Sequence, residues 1–271
     1  MDVEGALQSR AWKLIVVAAL ALFAASPAWA WGYDGHRIVC AVAWEELTPQ
    51  AKAKIADIIH VETRDAFADS CIWADNYQFF HKETSAWHYI SLPPDATSVD
   101  MARDCANGVC VVGKIETELR VLRDHSTAEP AATLRFLIHF ISDVHQPMHA
   151  SLAADRGGND VKGLYFGIPT NMHALWDYTM LDQDARPWRE IADMLHARVT
   201  AQDRATLPKS KPLDWANESL AIMRARTTAY IPHGDTFEFD EAYRQINFPI
   251  LLDRMKEGGV RLGAVLNDLL K

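Results

Sequence analysis

An all-α fold in a single domain is what this sequence predicts, on three observations. Apolar residues recur at helical spacing along most of the chain, cap residues or prolines open several of these segments, and strand-like alternation is scarce. Thr48-Pro49 is a cap followed by a first-turn proline and opens a helix through Ile59. Val111 to Leu122 carries the apolar spacing of the next. Glu129-Pro130 starts another, AATLRFLIHFISDVH, which must end near Gln146 because Pro147 disfavours helical backbone in the residue before it. Thr170 to Leu181 and Trp188 to Val199 follow. A further helix is expected over 214–230, after the Pro-Lys-rich stretch 208–212, and two more over 239–256 and 260–270. The exception is Lys162 to Phe166, expected as part of a short hairpin after Gly157-Gly158-Asn159. No internal repeat, low-complexity tract or linker divides the chain.

Residues 1–30 read as a cleaved export signal. Arg10 and Lys13 precede the apolar run Leu14 to Ala25, Ser26-Pro27 break it, and Ala28-Trp29-Ala30 supplies the small-x-small pattern that signal peptidase accepts. The run falls short of the roughly 20 apolar residues that span a bilayer, and no later stretch is long enough. The expectation is a secreted or periplasmic protein with no membrane anchor in its mature form, starting at Trp31. The mature domain, 31–271, is about 240 residues, enough for one sizeable core.

The formal charge of −9 argues against holding duplex DNA by counterion release from basic side chains. A phosphate ligand would need another source of positive charge. The four cysteines all lie in the mature part, and an even count in an exported chain predicts disulfides. Cys105 and Cys110 enclose the turn-rich Ala106-Asn107-Gly108-Val109, which favours a local bridge and leaves Cys40 with Cys71. A cysteine zinc site would lack any CxxC spacing.

The chemistry concentrates in HFISDVHQPMH and NMHALWD. His139 and Asp143 are four residues apart on an expected helix and share one face, as do His173 and Asp177, and His149 follows the proline turn. Imidazole and carboxylate both suit Zn²⁺, and burying so many ionisable groups on apolar helices without a cation would be costly. In WGYDGH the glycines are expected to let the chain fold back, bringing Trp31 and His36 together. Cleavage would expose the Trp31 amine, which can chelate a metal together with its own carbonyl. Asp75 in CIWAD and His88 in AWHYI each follow a tryptophan-containing apolar stretch able to bury them.

These motifs resemble the zinc-dependent single-strand nucleases of the nuclease S-one/P-one (type I nuclease) family, which shares its helical fold with zinc phospholipases C. The resemblance runs in order through WGxxGH (Trp31 to His36), WAD (Trp73 to Asp75), WHY (Trp87 to Tyr89), HFxxDxHQPxH (His139 to His149), GGND (Gly157 to Asp160) and NxHxxWD (Asn171 to Asp177), and is less distinct beyond. It implies three Zn²⁺ ions. Asp75, His88, His139 and Asp143 would bind the first, with Asp143 bridging to a second on Trp31 and His36, and His149, His173 and Asp177 would bind the third. It implies disulfides like Cys40–Cys71 and Cys105–Cys110.

The activity implied is endonucleolytic cleavage of single-stranded DNA and RNA to 5′-phosphorylated products, with 3′-nucleotides as further substrates and Asp75 orienting the attacking water. Three dications would offset much of the −9 and make the cleft positive. Tyr89 and Asn159 are candidates for a base pocket, since every base has a face that stacks on an aromatic ring. The chain departs from the family pattern at Gln78, where many relatives carry a phosphate-holding arginine, and at Ser91, where a base-reading Asp or Asn is usual. Lys82 is the candidate substitute for that arginine.

Two other functions compete. A zinc phospholipase C would carry glutamate where Asp177 stands and a longer spacing than Trp31 to His36. A non-catalytic zinc protein would fill every coordination position, whereas His149, His173 and Asp177 leave one open. His145 is expected to be structural or to support the ligands, and His60, His81, His125, His196 and His233 to be ordinary histidines. Asn217-Glu218-Ser219 would accept glycan in a eukaryotic host.

Overall fold

The computed structural model describes residues 31–225, 228 and 237–271; the expected export signal, His233 and part of the end of the helix expected over 214–230 lie outside them. The helices are α1 (Tyr33–Glu46), α2 (Pro49–Ile59), α3 (Arg64–Ser70), α4 (Trp73–Phe80), α5 (Met101–Asp104), α6 (Val111–Arg123) and α7 (Pro130–Asp143). Next comes α8, built from Met172–Ala174, a π-helical Leu175–Thr179 and Met180–Asp182. Last are α9 (Trp188–Ala197), α10 (Ala201–Thr206), α11 (Pro212–Met223) and α12 (Glu241–Leu269). The all-α expectation holds, and no helix among the described residues is long and apolar enough to cross a membrane.

The caps act as expected at α2, where Thr48 Oγ1 accepts from Ala51 N at 3.2 Å and Pro49 occupies the first turn. Pro130 opens α7 in the same way, and that helix ends at Asp143. At the middle of the core lie α1 and α7. Ile38 to Ala43 on α1 and Phe136 to Asp143 on α7 are buried without interruption. A helix surrounded by protein has no polar face, which is why α1 left no periodic signal to find.

Four expectations need correction. Gly35 does not turn the chain back; it lies in the first turn of α1, where an added Cβ would meet Trp31 Cβ at 2.9 Å. Thr170 and Asn171 belong to a strand, so α8 starts only at Met172. The helix expected over 214–230 ends at Met223. The two helices expected over 239–256 and 260–270 are one, α12. Gly258 and Gly259, between the two expected spans, lie inside the helix and let α12 approach α1. A Cβ on Gly259 would lie 2.5 Å from Val42 Cγ1, and one on Gly258 3.2 Å from His145 Cγ.

The hairpin is present as β3 (Lys162–Tyr165) and β4 (Ile168–Asn171), antiparallel with Tyr165 opposite Ile168. Its two-residue turn, Phe166-Gly167, has positive φ at both positions, the geometry that matches strand twist. Two parallel pairings carried no sequence signal. One joins β3 to β5 (Phe237–Phe239). The other joins β1 (Ile90–Leu92) to β2 (Ala150–Leu152), with Ile90 opposite Ala150. Disulfides link Cys40 to Cys71 and Cys105 to Cys110.

Candidate metal centre

His36 on α1 and His139 and Asp143 on α7 face one another across the two central helices, with the His36 and His139 rings stacked at 4.1 Å. Covalent and strand contacts bring in the rest. The Cys40–Cys71 bridge ties α1, one turn beyond His36, to the segment just before Asp75 on α4. His88 and His149 lie shortly before the paired strands β1 and β2, so that pairing sets the two histidines side by side. On α8 the Asn171 side chain caps the helix by accepting from Ala174 N at 2.9 Å. The π-helical turn that follows contains Asp177, whose Oδ2 lies 3.3 Å from His173 Nε2. Trp31 is anchored by its side chain, Nε1 donating to Ser142 O at 2.9 Å, and Gly32 N donates to Asp177 O at 2.9 Å.

The result is three buried groups able to hold a cation, each with ligand atoms within 4.8 Å of one another: His36, His139 and Asp143; Asp75, His88 and His139; and His149, His173 and Asp177. Hydrogen bonding aims the imidazoles. His139 Nδ1 donates to Cys71 O at 2.6 Å, His149 Nδ1 to His88 O at 2.7 Å and His173 Nδ1 to Gly157 O at 2.8 Å. A carbonyl only accepts, so each Nδ1 carries the proton and each Nε2 presents its lone pair. His36 Nδ1 meets Ser142 Oγ at 3.0 Å.

Several polar atoms are left buried with no hydrogen-bond partner: both Asp75 oxygens, Asp143 Oδ1, Asp177 Oδ2 and His88 Nε2. His88 Nδ1 and His139 Nε2 lie 2.9 Å apart, and two lone pairs at that distance need a shared proton or cation between them. Orphaned carboxylate oxygens beside inward lone pairs are what a dication would satisfy. The residues present fit a metal centre.

The electrostatics agree at His36, His149 and His173. Burial, with His139 as neighbour, lowers the His36 pKa to about 3, and burial beside His149 lowers that of His173 to about 3. His149 is lowered too, chiefly by burial. A neutral imidazole keeps the lone pair that a metal ligand needs. His139 runs the other way: burial opposes its charge, but Asp143 and Asp75 raise it well above its ordinary value. Asp143 is correspondingly held well below the carboxylate range, against burial, by His139 and His149. Burial raises Asp177 well above that range, Asp75 and Asp143 adding to the effect.

His145 stands apart, as expected. Its Nδ1 donates to Ile141 O at 2.7 Å and its Nε2 faces Arg261 at 2.9 Å, within a buried network in which Arg254 and Arg261 share Glu218. His60, His81, His125 and His196 join none of the three groups.

Against this centre opens a cleft of about 350 Å³ lined by His88, His149 and His173 together with Tyr89, Ser91, Gln78, Asn159 and Arg156. Tyr89 and Asn159, the candidates for a base pocket, both line this cleft. Lys82 does not line the cleft; its Nζ lies 5.1 Å from the centre of the Phe79 ring. The cation that does line it, Arg156, went unremarked in the sequence. It stands beside the GGND motif with φ 54, and its guanidinium is held by Asp160 at 2.6 and 3.0 Å.

Ser142 and Gln146 were likewise missed, although both lie inside or beside the quoted His-Asp motif. Gln146 Nε2 donates to Asp177 Oδ1 and its Oε1 accepts from Met148 N, which orients a ligand carboxylate. Asn217 accepts from Val99 N at 2.8 Å and donates to Leu213 O at 2.9 Å, so both polar atoms of its amide are engaged in the fold.

The chain is similar to known nucleases. A sequence model of the family described as S1/P1 Nuclease matches residues 31–271. Endonuclease 2 of Arabidopsis thaliana is 29% identical over 283 aligned residues, covering 94% of this chain and 96% of that protein. Nuclease P1 of Penicillium citrinum is 27% identical, covering 88% and 97%, and Nuclease S1 of Aspergillus oryzae is 27% identical, covering 69% of each.

Proposed function

This chain belongs to the S1/P1 nuclease family, and on that premise we propose that it is an exported zinc-dependent endonuclease. It cleaves phosphodiester bonds of single-stranded DNA and RNA to 5′-phosphorylated products and acts on 3′-nucleotides as well. The observation that carries the reading is the set of three buried His/Asp groups, with orphaned carboxylate oxygens, opening on a cleft lined by Tyr89, Asn159 and Arg156.

Asp75, His88, His139 and Asp143 would hold one Zn²⁺, His36 and the Trp31 amine and carbonyl a second shared through Asp143, and His149, His173 and Asp177 a third. When bound, the ions supply Lewis acidity toward phosphate oxygens and lower the pKa of water. The chain's own residues do the rest. Asp75, buried and with neither oxygen hydrogen-bonded, accepts a proton from the attacking water and orients it toward phosphorus. Arg156, whose Nε and Nη2 are on Asp160, meets a non-bridging phosphate oxygen with the remaining edge of its guanidinium. Tyr89 offers a face on which an unpaired base stacks, and duplex bases, already stacked, cannot use it. Ser142 and Gln146 hold His36 and Asp177 in place.

Secretion or periplasmic export, with cleavage before Trp31, accords with the composition of residues 1–30. The test is turnover by the purified mature protein on single-stranded DNA against a phosphatidylcholine emulsion, before and after exhaustive chelation. Cleavage of the DNA to 5′-phosphorylated ends that chelator abolishes is the expected result. Turnover of the lipid instead, or full activity without zinc, would refute it.

A further inference from the structure

Just past Gln78 lies an aromatic surface that the reaction as described does not use. Phe79 and Phe80 close α4 with 55% and 80% of their surface exposed. Their rings meet edge to face at 5.0 Å, and Lys82 holds its ammonium 5.1 Å from the centre of the Phe79 ring. The other aromatics of the same helix behave oppositely. Trp73 and Tyr77 turn inward and pack on Phe136 at 5.1 and 5.4 Å. Glu83, the nearest acidic residue in sequence, is engaged by His81 at 3.1 Å.

The position is specific. Phe79 follows Asp75 by one helical turn and so shares its face of α4, and the residue before Phe79, Gln78, lines the cleft. The exposed rings thus follow directly in sequence on a residue of the cleft, with a cation against Phe79, on a chain whose formal charge is −9. Exposed rings with an adjacent ammonium suit a ligand that carries flat faces and anionic linkers in alternation.

We propose that Phe79, Phe80 and Lys82 form a platform for nucleotides adjoining the bond to be cut, the bases stacking on the rings and Lys82 meeting a backbone phosphate. The proposal rests on the nuclease reading and adds a length preference: longer single strands bind better than dinucleotides.

The test compares KM on an eight-residue oligothymidylate with KM on a thymidylyl dinucleotide, for the unsubstituted chain and for Phe79→Ala/Phe80→Ala. The unsubstituted chain should show the lower KM on the octamer. The double variant should raise that value about tenfold, as loss of one stacked base would, with kcat and the dinucleotide KM unchanged. Both rings are exposed, and an unchanged melting temperature checks that the variant folds. Lys82→Ala should reduce the slope of log KM against log salt on the octamer by about 0.7, one phosphate contact.

Equal KM for the two lengths in the unsubstituted chain, or a length preference that survives the double substitution, overturns the platform. So does sedimentation showing that the rings instead join two copies of this chain. Cleavage of neither oligomer by the unsubstituted chain overturns the nuclease reading itself and the platform with it.

Discussion

Asp143→Asn should have an effect on stability that depends on whether zinc is present. The side chain is fully buried. Its Oδ2 lies 3.0 Å from His88 Nδ1 and 3.1 Å from His139 Nε2. Its Oδ1 has no hydrogen bond and lies 3.6 Å from His36 Nε2 and 3.7 Å from His149 Nδ1. Without metal, the carboxylate is a buried charge sharing a small volume with Asp75. An amide of equal size removes that charge, and Asp75 Oδ1, 3.4 Å from His139 Nε2, remains to balance His139. In chelator the variant should therefore melt within about 3 °C of the unsubstituted chain, a difference of roughly 1 kcal/mol for a chain of this size.

With zinc the comparison changes. Free ion at a hundredfold excess over Kd stabilises by about 2.7 kcal/mol per site, and a variant binding a hundredfold more weakly keeps only about 0.4 kcal/mol. The difference of about 2 kcal/mol corresponds to roughly 4–8 °C. Differential scanning calorimetry in chelator and then in buffered zinc measures both quantities. A zinc-induced rise of equal size in the two proteins would refute the bridging role. So would a variant destabilised equally in both conditions.

The cleft, the core and the amino terminus each yield a further expectation. Arg156→Ala should raise KM for single-stranded DNA about tenfold and reduce the salt slope by about 0.7, measured by initial rates between low and moderate salt; an unchanged slope would remove Arg156 from the phosphate. Glu218→Gln should destabilise the fold by about 2 kcal/mol in urea at neutral pH. That is below the 3–5 kcal/mol for a broken buried pair because the carboxylate is 38% exposed. Burial opposes the shift, but Arg261 and Arg254 hold the Glu218 pKa below its ordinary value of 4.5. A depressed carboxyl contributes above its unfolded value and loses that contribution as pH falls through its folded one. The gap between Glu218→Gln and the unsubstituted chain should thus close in acid, and a gap that widens below pH 4 would contradict it. Gly259→Ala places a Cβ 2.5 Å from Val42 Cγ1 and should cost about 1–3 kcal/mol in chemical denaturation. A form retaining even one residue before Trp31 should lose most activity if the free amine holds metal; equal specific activity to the cleaved form would show that it does not.

Two His/Asp pairs of the candidate centre were legible in the sequence because local geometry encodes them. His139 and Asp143, and likewise His173 and Asp177, stand one helical turn apart, so any helix there brings each pair to one face. The starts of α2 and α7 were legible for the same reason, since Thr48, Pro49 and Pro130 act on their own backbone. The tertiary structure alone decided how the pairs meet. The β1–β2 pairing that sets His88 beside His149 and the packing of Gly258 and Gly259 on α1 join residues far apart in sequence. Only that packing placed Arg156 rather than Lys82 in the cleft. It also turned Phe79 and Phe80 outward while Trp73 and Tyr77 turned inward. Periodicity reports which residues share a face of one element. It carries no information on which other element covers that face, because that depends on contacts whose partners the local sequence does not contain.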